Sequence, residues 1–214
     1  MKTAPRTFIL ENTQVMCPPH VPEVRLHLAS EAHDLWLKTE EDLEEIGLPP
    51  PFWAFAWAGG QGLARYVLDH PELVAGLRVL DFASGSGLVA IAARLAGAAD
   101  VVAADIDPWT ASAVALNAAL NETSIRFTSE NQIGRSVEAD VLLAGDVFYD
   151  REFASALIPW FTRLAENGTV VLVGDPGRSY RPKDRLEELA VYQVSVTRAL
   201  EDADVKRTTV WRFR

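Results

Sequence analysis

VLDFASGSG, residues 79–87, runs from apolar, strand-like residues into a glycine turn. It continues so that Gly85-Ser86-Gly87-Leu88-Val89-Ala90 also fits the G-x-G-x-x-A form of a dinucleotide fingerprint. In an open α/β sheet, ligands bind beyond the carboxyl ends of the strands. Glycines there let the backbone approach a ligand, and the following helix offers free N–H groups. Asp105 ends the next apolar run, about 20 residues beyond Gly85. A carboxylate so placed accepts hydrogen bonds from the two hydroxyls of a ribose. Turn and acid together point to an adenosine-type ligand.

Four features separate a dinucleotide from S-adenosylmethionine. Asp81 sits in the strand itself, four residues before Gly85. Its charge opposes a pyrophosphate and suits an ammonium and a sulfonium. Ala83 and Ser84 hold the first glycine of the pair away from the strand end, where a dinucleotide fingerprint places it. The chain closes on two strand-like runs, not on a second mononucleotide-binding half. Tyr180 and Lys183 do not form the Tyr-x-x-x-Lys pair of a dehydrogenase, since Pro182 stands between residues only three apart.

Outward from the turn, strand-like and helical patterns alternate. Apolar runs cover 78–82, 101–105, 125–128, 141–145 and 169–174, with helical patterns at 87–96, 108–121 and 151–166. Such alternation with continuous apolar strands predicts a parallel sheet covered on both faces. The runs 191–198 and 205–213, joined by Glu201-Asp202-Ala203-Asp204, predict a final antiparallel hairpin. Residues 1–58 read as a proline-rich, irregular N-terminal extension packing on the core, with a short strand at 24–28 and a capped acidic helix at 39–47. Residues 59–214 read as one globular domain, whose first helix is expected from Leu63 to about His70, after a glycine lead-in. The aromatic cluster Phe52, Trp53, Phe55 and Trp57 fits either a core plug or a flat-walled ligand site.

Nearly half of the 214 residues are apolar, enough for a sizeable core. The net charge of −10 argues against a nucleic-acid partner. Cys17 is the sole cysteine, so no internal disulfide forms, which suits a reducing compartment. The most apolar stretch, 88–104, is broken by Arg94 and Asp100 and does not read as a membrane span. No secretory signal or transit peptide is evident, and a cytoplasmic location is expected. The four histidines lack ligand spacing, so no metal site is expected. There is no Gly-x-Ser-x-Gly elbow and no Walker-A sequence.

Val79–Gly87 with Asp105 resembles motif I and the acidic loop of class I, seven-stranded S-adenosylmethionine-dependent methyltransferases, with Ala83 in place of the first glycine. Asp105-Ile106-Asp107-Pro108 and Leu116–Asn121 resemble the matching stretch of ribosomal protein L11 methyltransferases. Pro22–Leu26, Pro51–Gln61, Asp146-Val147-Phe148-Tyr149 and Asp175–Arg178 are similar to the lysine methyltransferases of the electron transfer flavoprotein β subunit. The resemblance implies an α/β, Rossmann-like, doubly wound fold. Its seven-stranded sheet would be mostly parallel, with a C-terminal antiparallel hairpin. It implies a bacterial counterpart that uses S-adenosyl-L-methionine to methylate a protein lysine, the flavoprotein β subunit being the expected partner and a monomer the expected state. Another protein or a small amine as acceptor, and a non-catalytic adenosine binder, stay open.

By that resemblance Trp57 packs on the cofactor, with Gly59, Gly60 and Gln61 alongside. Asp81, Ala83, Ser84, Gly85 and Gly87 cradle its methionine portion, and Asp105 with Ile106 takes the ribose. Asp146 lies between cofactor and acceptor, and Asp146 with Tyr149 positions the incoming lysine.

Overall fold

The computed structural model describes residues 4–30, 50–196 and 203–214. The expected acidic helix at 39–47, His33 and part of the final hairpin loop lie outside them.

The N-terminal part holds helix α1 (Pro5–Asn12) and strands β1 (Gln14–Met16) and β2 (Leu26–Leu28), which pair antiparallel. Only β2 overlaps an expected element. The sequence signal for α1 is Pro5 at the first helical position, where its missing N–H costs nothing. Helix α2 (Ala58–Asp69) starts five residues before the expected Leu63. Its glycines lie inside the helix because its first turn crosses strand ends at very short range.

Next come β3 (Arg78–Phe82), α3 (Leu88–Leu95), β4 (Asp100–Ala104), α4 (Thr110–Leu120) and β5 (Arg126–Thr128). They are followed by β6 (Val141–Gly145), α5 (Arg151–Glu166), β7 (Val170–Asp175), β8 (Leu186–Ser195) and β9 (Val205–Phe213). Strands β3 to β9 form one seven-stranded sheet in the order β5-β4-β3-β6-β7-β9-β8. β3 to β7 run parallel; β9 is antiparallel to β7, and β8 to β9.

Alternation along the central strands divides the core between the two faces. Val79, Leu143 and Leu172 meet α2 and α3 on one face, while Leu80, Phe82, Leu142 and Val173 meet Leu157, Trp160 and Phe161 of α5 on the other. Asp150 caps α5 by accepting the Phe153 N–H at 2.8 Å. β8 starts five residues earlier than expected, through the charged Glu187-Glu188. It is an edge strand, and those two glutamates form ion pairs with Arg214 and Arg207.

Register sets the active edge. Phe82 stands opposite both Ala104 and Ala144, and Gly145 opposite Gly174. The carboxyl ends therefore finish together, and β3 beside β6 is where the strand order reverses.

Candidate active site

The turn after β3 is held from beneath and from the side. Ser84 N–H donates to Ala104 O at 3.2 Å, and Gly87 N–H to Ser84 O at 2.8 Å. Gly85 N–H donates to Asp105 Oδ2 at 3.0 Å, and the other oxygen of Asp105 accepts the Asp107 N–H at 3.0 Å. Buried Asn117 ties this turn to the N-terminal part: its Nδ2 donates to Ser86 O, and its Oδ1 accepts the His27 N–H.

Ala83 takes a φ of +54°, in the left-handed region. An alanine at motif I's first glycine therefore carries a strain cost, because its Cβ crowds the following carbonyl. Ala83→Gly is expected to raise stability by about 0.5–1 kcal/mol in urea unfolding; an unchanged or lower midpoint would contradict this.

The turn opens into a cavity of about 820 Å³, a size suited to a cofactor. Asp81 forms its floor, almost wholly buried, and accepts the Ala90 N–H at 3.0 Å. Burial pushes its carboxyl up to about 8 against that hydrogen bond, and the Asp105 charge adds to the rise. Burial also raises Asp105 and Asp107, against the backbone N–H groups each accepts. Ser84 Oγ in the wall is buried with no protein partner.

The aromatic cluster divides between wall and core. Phe52, Phe55 and Trp57 line the cavity, and the Trp57 Nε1–H donates to Phe52 O at 3.1 Å. Trp53 faces away and stacks on Trp109, with ring centroids 6.3 Å apart and planes at 10°.

Across the cavity, Asp146 has a φ of +57°. A non-glycine residue held in that conformation is a feature of functional sites. Its Oδ2 accepts the Gly60 N–H at 3.1 Å. Its Oδ1 accepts from Arg178 Nε at 3.0 Å and Nη2 at 2.6 Å. Tyr149 lies at the mouth, half-exposed, between the rings of Phe52 and Phe153. Burial, with Asp105 and Asp150 nearby, raises its pKa, so it remains a phenol.

The wall thus gathers Trp57, Gly60, Asp81, Ala83, Ser84, Gly85, Asp105, Ile106, Asp146 and Tyr149 of the expected residues. Gly59, Gln61 and Gly87 stand behind it. Gln61 is spent on His20 N–H and Ala56 O, Gly59 is pressed against Asp146 and β7, and Gly87 ends the turn at the start of α3. Arg178 was not singled out in the sequence, although it belongs to the quoted Asp175–Arg178 turn. It is the single basic side chain in the wall among the described residues.

An acid-rich, aromatic-walled cavity with an unpartnered hydroxyl, in which the one cation among the described residues is already paired, fits a cationic nucleoside better than a pyrophosphate. Among the described residues no group of three or more His, Cys, Asp or Glu is arranged to hold a metal.

The ribosomal protein L11 methyltransferase family model matches residues 66–172. Among solved structures, magnesium protoporphyrin IX methyltransferase from Synechocystis PCC 6803 shares the fold with a TM-score of 0.54 and 20% identity, over 73% of this chain and 80% of that one. The ribosomal protein L11 methylase from Lactobacillus delbrueckii subsp. bulgaricus does so with a TM-score of 0.51 and 20% identity, over 75% and 81%. The electron transfer flavoprotein beta subunit lysine methyltransferase of Xenopus laevis is 41% identical over 99% of this chain and 87% of its own length. The Homo sapiens protein of the same name is 34% identical over 98% and 82%. Glycine turn, spaced acids, strand order and whole-length similarity agree: the chain belongs to the electron transfer flavoprotein beta subunit lysine methyltransferase family.

Proposed function

We propose that the protein transfers a methyl group from S-adenosyl-L-methionine to lysine side chains of the electron transfer flavoprotein β subunit. The observation that carries this reading is one cavity with buried Asp81 at its floor and Asp146 at its far wall, in a chain of this family. Asp81 offers a carboxylate to the cationic end of the donor. Asp105 offers oxygen lone pairs to the ribose, and Trp57 a flat face. Asp146 and Tyr149 stand where an acceptor amine enters. The acidic chain favours encounter with a lysine-bearing protein and not with nucleic acid. The cytoplasm is the proposed compartment, on the strength of the sole, unpaired cysteine.

When bound, the donor supplies a methyl carbon on a sulfonium: the amine lone pair forms the new N–C bond while the C–S pair passes to sulfur. The protein's part is to align the amine and to leave it deprotonated. Lysine ammonium has a pKa of about 10.4, so its proton must leave to solvent first. Desolvation against Phe52 and Tyr149 favours the neutral amine, and alignment supplies most of the rate.

The purified protein, labelled S-adenosylmethionine and purified flavoprotein β subunit should give label on lysine by mass spectrometry. Label confined to small metabolites or to other proteins would overturn the substrate, and calorimetric binding of NAD in place of S-adenosylmethionine would overturn the class.

Asp81 adds a proton-linked effect. Its raised pKa leaves the carboxyl largely protonated near pH 7 before a cation binds. A bound cation favours the carboxylate, so binding expels a proton, and this contribution to affinity grows with pH up to about 8. Calorimetry at pH 7 in buffers of different ionisation enthalpy should show more proton release for the wild type than for Asp81→Asn. Equal proton counts would refute the linkage.

A further inference from the structure

Arg178 is built into the site with unusual care. Asp175 ends β7 fully buried, and its Oδ1 accepts the N–H groups of Gly177 at 2.8 Å and Arg178 at 3.0 Å. That turn aims the Arg178 side chain back at Asp146, where two of its nitrogens reach the same carboxylate oxygen. The other oxygen holds Gly60 N–H. The pair lies in the cavity wall, Asp146 almost fully buried and Arg178 largely so.

The surrounding charges make this pairing consequential. Asp81, whose charge the bound donor's cation matches, faces the cavity from β3, Asp105 and Asp107 from the end of β4, and Glu130 from the segment after β5. Tyr149 and Asp150 come from the loop that carries Asp146. Arg181 is directed to Asp175 at 3.5 Å. The segment 50–57 and the first turns of α2 and α3 bring no charged side chain among the described residues. An amine entering here meets a field that favours the ammonium, which has no lone pair to attack with.

We infer that Arg178 is a positioning residue that sets the protonation of the acceptor amine through Asp146. By matching the carboxylate's charge in advance, it lets Asp146 aim the amine without trapping it as a cation. Lys–NH3+ then gives one proton to solvent. The nitrogen lone pair forms the N–C bond, the C–S electron pair goes to sulfur, and the product is a methylated ammonium. This rests on the lysine methyltransferase reading above.

The test compares wild type, Arg178→Gln and Arg178→Lys. kcat and KM are measured from pH 6 to 10 with purified flavoprotein β subunit and saturating S-adenosylmethionine. Arg178→Gln is expected to move the acid limb of kcat up by about one pH unit, roughly tenfold slower at pH 7, with equal rates at high pH and KM unchanged or lower. Arg178→Lys keeps the charge and should restore most of the wild-type profile. A rate loss uniform across pH, or none, overturns the inference.

A second measurement is independent of the protein substrate. Calorimetry of n-butylammonium binding at pH 7 to the protein saturated with S-adenosylhomocysteine should show several-fold tighter binding by Arg178→Gln. Equal affinity also overturns the inference. If the wild type leaves the flavoprotein unmethylated, the substrate assignment falls, and the butylammonium comparison still decides the role of Arg178.

Discussion

Asp105→Ala is expected to weaken S-adenosylmethionine binding by about 100-fold. Both carboxylate oxygens of Asp105 already hold backbone N–H groups, one from Gly85 in the glycine turn and one from Asp107. An ionised carboxylate has about four acceptor sites, so capacity remains for ribose hydroxyls. Each hydrogen bond to a charged group contributes about 1.5–3 kcal/mol, so even at the lower end of that range losing two of them corresponds to roughly two decades of affinity. The loss also frees the Gly85 N–H, so the turn is less well held when the ligand arrives. Asp105→Asn keeps one acceptor oxygen and should lose about tenfold. Titration calorimetry reads the affinities, and a thermal melt confirms that each variant is folded. Wild-type affinity in Asp105→Ala would remove Asp105 from the ligand's contacts.

The place of Asp105 in the cavity wall was legible in the sequence because two signals coincide there, a strand end and a fixed distance from a glycine turn. The parallel core was legible for a similar reason: β3, β4, β6 and β7 are continuous apolar runs, as strands buried on both faces must be. Less was legible where one residue type serves several ends. Gln61 beside a glycine pair reads as a cofactor contact, yet its amide ties the N-terminal part to the aromatic segment. The four clustered aromatics gave no means of telling wall from core. Only the turn at Phe52–Ala54 separates Phe52, which faces the cavity, from Trp53, which faces Trp109. The start of β8 was hidden because its glutamates are paired across the strand and not buried. Arg178 was hidden because its partner lies 32 residues away, and only β6 beside β7 brings the two together.

The second large effect concerns the glycine crossing under the site, where Gly174→Ala is expected to cost about 2–4 kcal/mol. Gly174 has an ordinary φ, so any residue could adopt its backbone conformation. The constraint is space. A Cβ there would fall on the Gly59 carbonyl oxygen, far inside contact distance, and would lie 2.8 Å from Leu63 Cβ. Backbone on one side and a fully buried leucine on the other cannot step aside cheaply. The first turn of α2 must move, and with it the Gly60 N–H that holds Asp146. The melting temperature should therefore fall by roughly 6–12 °C, and methyl transfer should fall beyond what partial unfolding explains. Gly60→Ala is the matched control for stability. Its Cβ would meet only Val89 Cγ2 at 4.0 Å, and alanine is the better helix former, so its melting temperature should hold or rise. Should Gly174→Ala melt with the wild type, the close crossing of α2 over β7 would not be what fixes Asp146 in place.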